Sequence, residues 1–250
     1  PFMSLYIRDL GVTDPGQAAF WAGVALAAGG VSLFIFGPIW GAVGDWIGRK
    51  AMVVRASVGG GFSVAALGLA PSMPWVVFMR SFEGVFSGNT GAGQAMVASI
   101  APKERLSQSM SLLQMATFTG GALGPLVGGV VVDHLGFRMA FFVTGSLMML
   151  GGVFLWRFAK EEKTPTPAGA IPSPLKLMSN LVDVMRSREA LILLGTYLLL
   201  QIAAGMVNPV LPLFLQSIAG EGASVASLLG TALFMTGVIG AFTSILVSRF

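Results

Sequence analysis

The sequence predicts an all-α polytopic membrane protein, and three observations carry that prediction. Composition is the first. Of 250 residues, 54% are hydrophobic and only 10% charged, where a soluble domain carries about 25% charged residues. Mean hydropathy is +0.80 and there are 34 glycines, a residue commoner in membrane helices than in soluble ones. The second is the pattern of charge-free runs, at 15–44, 56–79, 84–102, 106–132, 139–156, 190–220 and 222–248. Each reaches the roughly 18 residues that a membrane helix needs. The third is where the basic residues fall between those runs.

Backbone groups in lipid must pair within their own segment, so the runs become helices. The alternation of a membrane β-barrel is absent. We place the helix cores near 19–40, 51–70, 74–99, 107–132, 137–158, 190–216 and 225–248, with residues 1–7 as the tail of an earlier helix. Pro1 follows no charged leader region, and the chain reads as a piece of a longer protein.

Alternate loops collect the positive charge. Arg49, Lys50 and Arg55 fall in one. Lys103 and Arg105 fall in the next, then Arg157, Lys160, Lys163, Lys176, Arg186 and Arg188, then Arg249. Twelve of the 15 basic residues thus share one side. Arg8 and Arg138 fall on the other, and Arg80 lies inside a span. Basic loops stay in the cytoplasm, so the net charge of +4 reads as topology and not as a nucleic-acid surface.

Residues 159–189 form the long cytoplasmic central loop. Pro165, Pro167, Pro172 and Pro174 keep its first part extended. Leu177, Leu181, Val184 and Met185 have helical spacing, so a short amphipathic helix or a plain linker follows. The loop divides an N-terminal helical half (1–158) from the start of a C-terminal half (190–250). An internal repeat supports that division. Pro1-Phe2-Met3-Ser4-Leu5-Tyr6-Ile7 resembles Pro209-Val210-Leu211-Pro212-Leu213-Phe214-Leu215. Gly23, Ala25, Leu26, Gly30 and Val31 match Gly230, Ala232, Leu233, Gly237 and Val238. Repeated halves about a central cavity are a transporter architecture.

Three motifs carry chemistry. The first is Gly41-Ala42-Val43-Gly44-Asp45-Trp46-Ile47-Gly48-Arg49-Lys50. It resembles the signature between helices 2 and 3 of the major facilitator superfamily. Its physical need is a tight turn between two helices, which glycine permits. The resemblance implies that Gly41, Asp45, Gly48, Arg49 and Lys50 form a conformational switch loop, with Asp45 and Arg49 in a charge relay. The second is Arg80-Ser81-Phe82-Glu83-Gly84, which resembles the family's helix 4 motif with Glu83 in place of the usual Gln. An Arg inside a membrane marks a functional site by default. Arg80 and Glu83 share a helix face and can neutralise each other. The resemblance implies a role in proton coupling.

The third motif is Gly120-x-x-x-Gly124-Pro125-x-x-Gly128-Gly129. It resembles the helix 5 signature of the family's drug/proton antiporters, although Met115 stands where its longer form has Gly. Pro125 bends the helix and the small residues let a neighbour approach closely. We expect an antiporter-like seam there, with Gly124 at the close approach. Asp133-His134 and Gly136-Phe137-Arg138 resemble the outer turn that follows, with His134 a solvated turn residue. Asn89, Gln94, Gln114, Gln201 and Asn208 are the candidate polar lining of a mostly apolar cavity, and Met206 and Met235 its adaptable apolar lining.

The resemblance spans the tail of helix 1 through helix 8. It implies the major facilitator fold, two six-helix halves incomplete in this chain, and fits best the twelve-helix drug/proton antiporters. The expected protein is a multi-pass secondary transporter of the cell (plasma or inner) membrane. Its partners are a small-molecule substrate, protons and the lipid bilayer, with no nucleic acid. It exports drug-like or other small apolar compounds by alternating access; the alternative is proton-coupled uptake or export of sugars or other small metabolites. We expect no enzyme activity. No Walker loop, His-Glu-x-x-His or cysteine is present, so no cofactor and no metal are expected.

Overall fold

A computed structural model describes residues 2–159, 187–207, 209–219 and 224–247, and all regular structure among them is helical. The helices are α1 (Met3–Asp9), α2 (Pro15–Ile47), α3 (Arg49–Leu67), α4 (Met73–Phe86), α5 (Asn89–Ile100), α6 (Leu106–Phe158), α7 (Arg188–Val207), α8 (Leu211–Ala219) and α9 (Val225–Val247). A 3₁₀ turn at Lys103–Arg105 leads into α6. The amphipathic segment expected at 177–185 and the candidate Asn208 lie outside the described residues.

By length and composition, Pro15–Gly44, Lys103–Phe158 and Arg188–Ala219 are long and apolar enough to cross a membrane. The second holds two of the expected spans. Gly136 (φ 82°) breaks α6 between them, a conformation that costs glycine little. Two other expected spans are interrupted. The span at 74–99 divides into α4 and α5 at Ser87–Gly88, with Gly88 left-handed at φ 107°. The span at 190–216 divides between α7 and α8, where Pro209 and Val210 form a turn. Apolar runs hid both breaks, because hydropathy carries no information on backbone dihedrals.

Small residues set the packing. α2 crosses α4 where Gly84 lies on the carbonyl of Gly29, and a Cβ at Gly29 would stand 3.2 Å from the Arg80 carbonyl. α3 packs along the second part of α6. A Cβ at Gly61 would be 2.7 Å from the Gly145 carbonyl, and one at Gly152 would be 2.9 Å from Ser57 Cβ. Such close backbone approach is how membrane helices gain dispersion contacts without a hydrophobic driving force between them.

Beside these crossings sits an apolar cluster containing Tyr6, Ile7, Ala18, Ala22, Ala66, Leu67 and Val76. Tyr6 packs edge-on to Phe141 with ring centroids 4.8 Å apart. Its hydroxyl donates to the Leu67 carbonyl at 2.6 Å, and Trp75 Nε1 donates to the Ala66 carbonyl at 3.1 Å. Both carbonyls also accept from backbone amides of the turn after α3, Leu67 from Ala70 and Ala66 from Leu69, so each side-chain bond adds a second donor at the end of that helix. By contrast α7 buries no residue. Its exposed leucines form the kind of surface that lipid, not water, tolerates.

Candidate functional site

Helix α4 carries Arg80 and Glu83 on one face, one turn apart. Arg80 Nη1 and Glu83 Oε2 pair at 2.6 Å, with side chains 21% and 22% exposed. The pair lines a pocket between α2 and α4 with Leu26, Gly30, Leu33 and Ser87. Pairing suits this apolar setting, since an isolated charge there would be far costlier. Arg80 Nε is buried and has no hydrogen-bond partner among the described residues.

The signature around Gly41–Lys50 is mostly helix. α2 continues through Gly41, Gly44 and the backbone of Asp45 to Ile47, and Gly48 alone separates it from α3, at φ 111°. The expected ten-residue loop is thus a one-residue turn, because glycine can reverse the chain at a dihedral that other residues rarely adopt. A Cβ at Gly44 would meet Met52 Cγ at 2.9 Å, so the helices stay close beyond the turn. The Asp45 side chain lies outside the described atoms. Arg49 Nη1 donates to the Ala95 carbonyl of α5 at 2.5 Å. Lys50 Nζ donates to the Ala159 carbonyl at 2.7 Å.

Helix α9 lies along the first part of α6. Gly129 meets the backbone of Ala226, Gly230 meets the carbonyl of Pro125, and Gly237 meets Ala122. The sequence assigns these two helices to different halves. At one end of the contact the Asp133 carboxylate accepts from the Ser227 amide at 3.0 Å and from the Ser227 hydroxyl. Ser227 is in the first turn of α9, where free amides favour a carboxylate. On the same side, Arg8 Nη1 donates to Gln216 Oε1, joining α1 to α8. These two residues are related by the 208-residue offset of the internal repeat.

The antiporter-like motif divides between faces. Gly129 and Pro125 touch α9, and a Cβ at Gly128 would lie 3.3 Å from a Phe2 ring carbon. A Cβ at Gly120 or Gly124 would meet no described atom within 4 Å. The close approach expected at Gly124 therefore falls on the neighbouring stripe, Ala122, Pro125 and Gly129. Sequence reasoning missed Ala122 as a member of this stripe, and Ala226, Ser227 and Gly230 as its partners on α9. The periodicity of α6 allowed either stripe.

The candidate amides do not gather at the Arg80–Glu83 pocket. Asn89 accepts from the Ser57 hydroxyl at 3.2 Å. Gln94 and Gln201 are exposed and Gln114 is half-buried. His134 is exposed, as are Met206 and Met235. Ser87 and Gly29 line the pocket and were not anticipated, although a Ser-Gly pair at 87–88 is a turn signal.

The sequence is similar to that of known proteins. The sequence model of the Major Facilitator Superfamily matches residues 1–250. The chain is 30% identical over 248 residues to the multi-drug resistance efflux pump PmrA of Streptococcus pneumoniae, covering 96% of this chain and 61% of that protein. It is 29% identical over 238 residues to the multidrug resistance protein MdtG of Escherichia fergusonii, covering 95% of this chain and 58% of the relative. For MdtG of Salmonella typhimurium the identity is 28% over 238 residues, with the same coverage of 95% and 58%. The chain thus spans about three-fifths of the length of these curated relatives.

Proposed function

The chain belongs to the Major Facilitator Superfamily, and from that premise we propose that the protein exports drug-like or other small apolar compounds across the cell membrane, driven by protons, through alternating access. The observation that carries this reading is the contact of α6 with α9 across the two proposed halves. Glycine and alanine allow the backbones to meet, and small-residue seams slide with little steric penalty. The names of the relatives, efflux pump and multidrug resistance protein, support export as the direction.

In this reading Arg80 and Glu83 couple the proton. When Glu83 takes up a proton its charge is lost, and Arg80 is left without its counter-charge beside the pocket. The two protonation states therefore favour different surroundings for α4, which is the differential interaction a driven transition requires. The switch turn, with Gly41, Asp45, Gly48, Arg49 and Lys50, biases the packing of the halves on the basic side.

The test uses the complete protein in sealed vesicles with an imposed pH gradient and a fluorescent apolar probe. Gradient-driven movement of the probe is expected. Arg80→Ala and Glu83→Gln should each lower it by about tenfold or more while downhill movement persists, because they remove an interaction used in the driven step and not in passive passage. Full gradient-driven movement in both variants assigns the pair a structural role.

A further inference from the structure

The break between α4 and α5 interrupts one of the expected spans. Non-helical backbone in a membrane protein survives only where neighbouring groups satisfy its carbonyls. Here they do so one by one. The Ser87 hydroxyl bonds the Glu83 carbonyl at 3.0 Å, and the Ser87 amide bonds the Gly84 carbonyl at 3.2 Å. The Val85 carbonyl accepts from Trp40 Nε1 at 2.7 Å and from Arg55 Nη1 at 3.3 Å. The Ser87 carbonyl accepts from Arg55 Nη2 at 3.3 Å.

Arg55 counts as a loop cation in the sequence pattern. In the structure it lies within α3, its guanidinium carbon 3.8 Å from the centre of the Trp40 ring. Stacking on an indole holds a guanidinium by its face while its edge donates. A cation at the end of α4 also opposes the negative pole of that helix. Three helices thus meet at one point: Trp40 from α2, Arg55 from α3, and the orphaned carbonyls that end α4.

We infer that Arg55, stacked on Trp40, is a positioning residue that clamps the break in helix 4 and fixes the angle between α4 and α5. This rests on the transport reading above, and it names the element that links two of its parts. α4 carries Arg80 and Glu83. α5 receives Arg49 of the switch turn through the Ala95 carbonyl. With the clamp intact, a change at the ion pair moves α5 as a lever. With the clamp loosened, the break absorbs the motion and the switch turn does not feel it.

Two conservative substitutions test the clamp in the complete protein. Arg55→Lys keeps the charge but loses the flat face and the two-carbonyl fork. Trp40→Phe keeps an aromatic face but loses the indole donor. Spin labels at Phe78 and Ile100, in a cysteine-free background, report the angle across the break by pulsed electron resonance. The parent should give one narrow distance distribution, and each variant a distribution broadened by about twofold. Maximal export should fall by about tenfold or more with substrate affinity within about twofold, the mark of misplacement remote from the chemistry. An unchanged distribution in both variants overturns the clamp, and so does a broadened one with full export. If the parent shows no gradient-driven export, the transport reading fails, and the distances alone still decide whether Arg55 and Trp40 fix the angle.

Discussion

Two glycine seams run along α6, and they are built alike but held differently. The second part of α6 packs on α3 through Gly61, Gly145 and Gly152. The first part packs on α9 through Gly129, Gly230 and Gly237. In both, a glycine faces the neighbour's backbone or the first carbons of its side chains at a distance that leaves little room for a Cβ. The difference lies in what else holds the partner. α3 is also packed against α4 and α5 and is tied by Tyr6 and Trp75 to its neighbours. α9 has close packing with α6 and α8 among the described helices, and its polar tie to α6 is the Asp133 carboxylate on Ser227. Glycine alone therefore does not make a joint movable. Among the described helices the seam on α9 belongs to the helix with fewer other attachments, and we propose that it is the one that moves.

That contrast yields a ranked set of substitutions. Gly61→Leu should have the largest effect. Its Cβ would stand 2.7 Å from the Gly145 carbonyl and 3.0 Å from the Met149 amide, and α3 is held from other sides. Overpacking of this kind commonly costs about 1–3 kcal/mol and occasionally more. The yield of folded, monodisperse protein should collapse; a normal yield would show that the α3 seam gives way freely.

Gly230→Leu puts bulk on the other seam, where its Cβ would meet the Pro125 carbonyl more closely than any contact at Gly61 and stand 3.0 Å from Leu126 Cα. Since α9 has fewer attachments than α3 among the described helices, it should shift and the protein should still fold. Export should drop by about tenfold or more, because alternating access needs two packings of similar energy and this change favours one. Folded yield and vesicle export, measured on the same preparation, separate the two seams. Gly124→Leu should do least, changing export by less than about twofold, since surface changes away from packed features usually lie within about 0.5 kcal/mol. A large loss there would return the seam to the stripe containing Gly120 and Gly124.

Much of the fold was legible in the chain because lipid imposes length and hydropathy directly. The charge-free runs located α2, both parts of α6, and α9. The i, i+3 spacing of Arg80 and Glu83 foretold their pairing, which the helix geometry alone dictates. Gly48 was visible within a motif, but not as the sole turn residue. The rest depends on facts that hydropathy does not encode. Gly88 reverses dihedral sign inside an apolar run. Asp133 reaches Ser227 across 94 positions. Arg55 follows two other cations in sequence, yet turns inward to Trp40. Which of two small-residue stripes on α6 meets a partner is set by the position of α9, and α6's own periodicity is neutral on the point.

If the α6–α9 contact moves during transport, a reversible cross-link across it should arrest export. Asp133→Cys with Ser227→Cys replaces two side chains that already touch. The pair should be made in the complete protein, oxidised, reconstituted and assayed for gradient-driven export before and after reduction. The account predicts that export stops when the disulfide forms and returns when it is reduced. Full export with the disulfide quantitatively formed would contradict it, because the seam would then be as fixed as the one on α3.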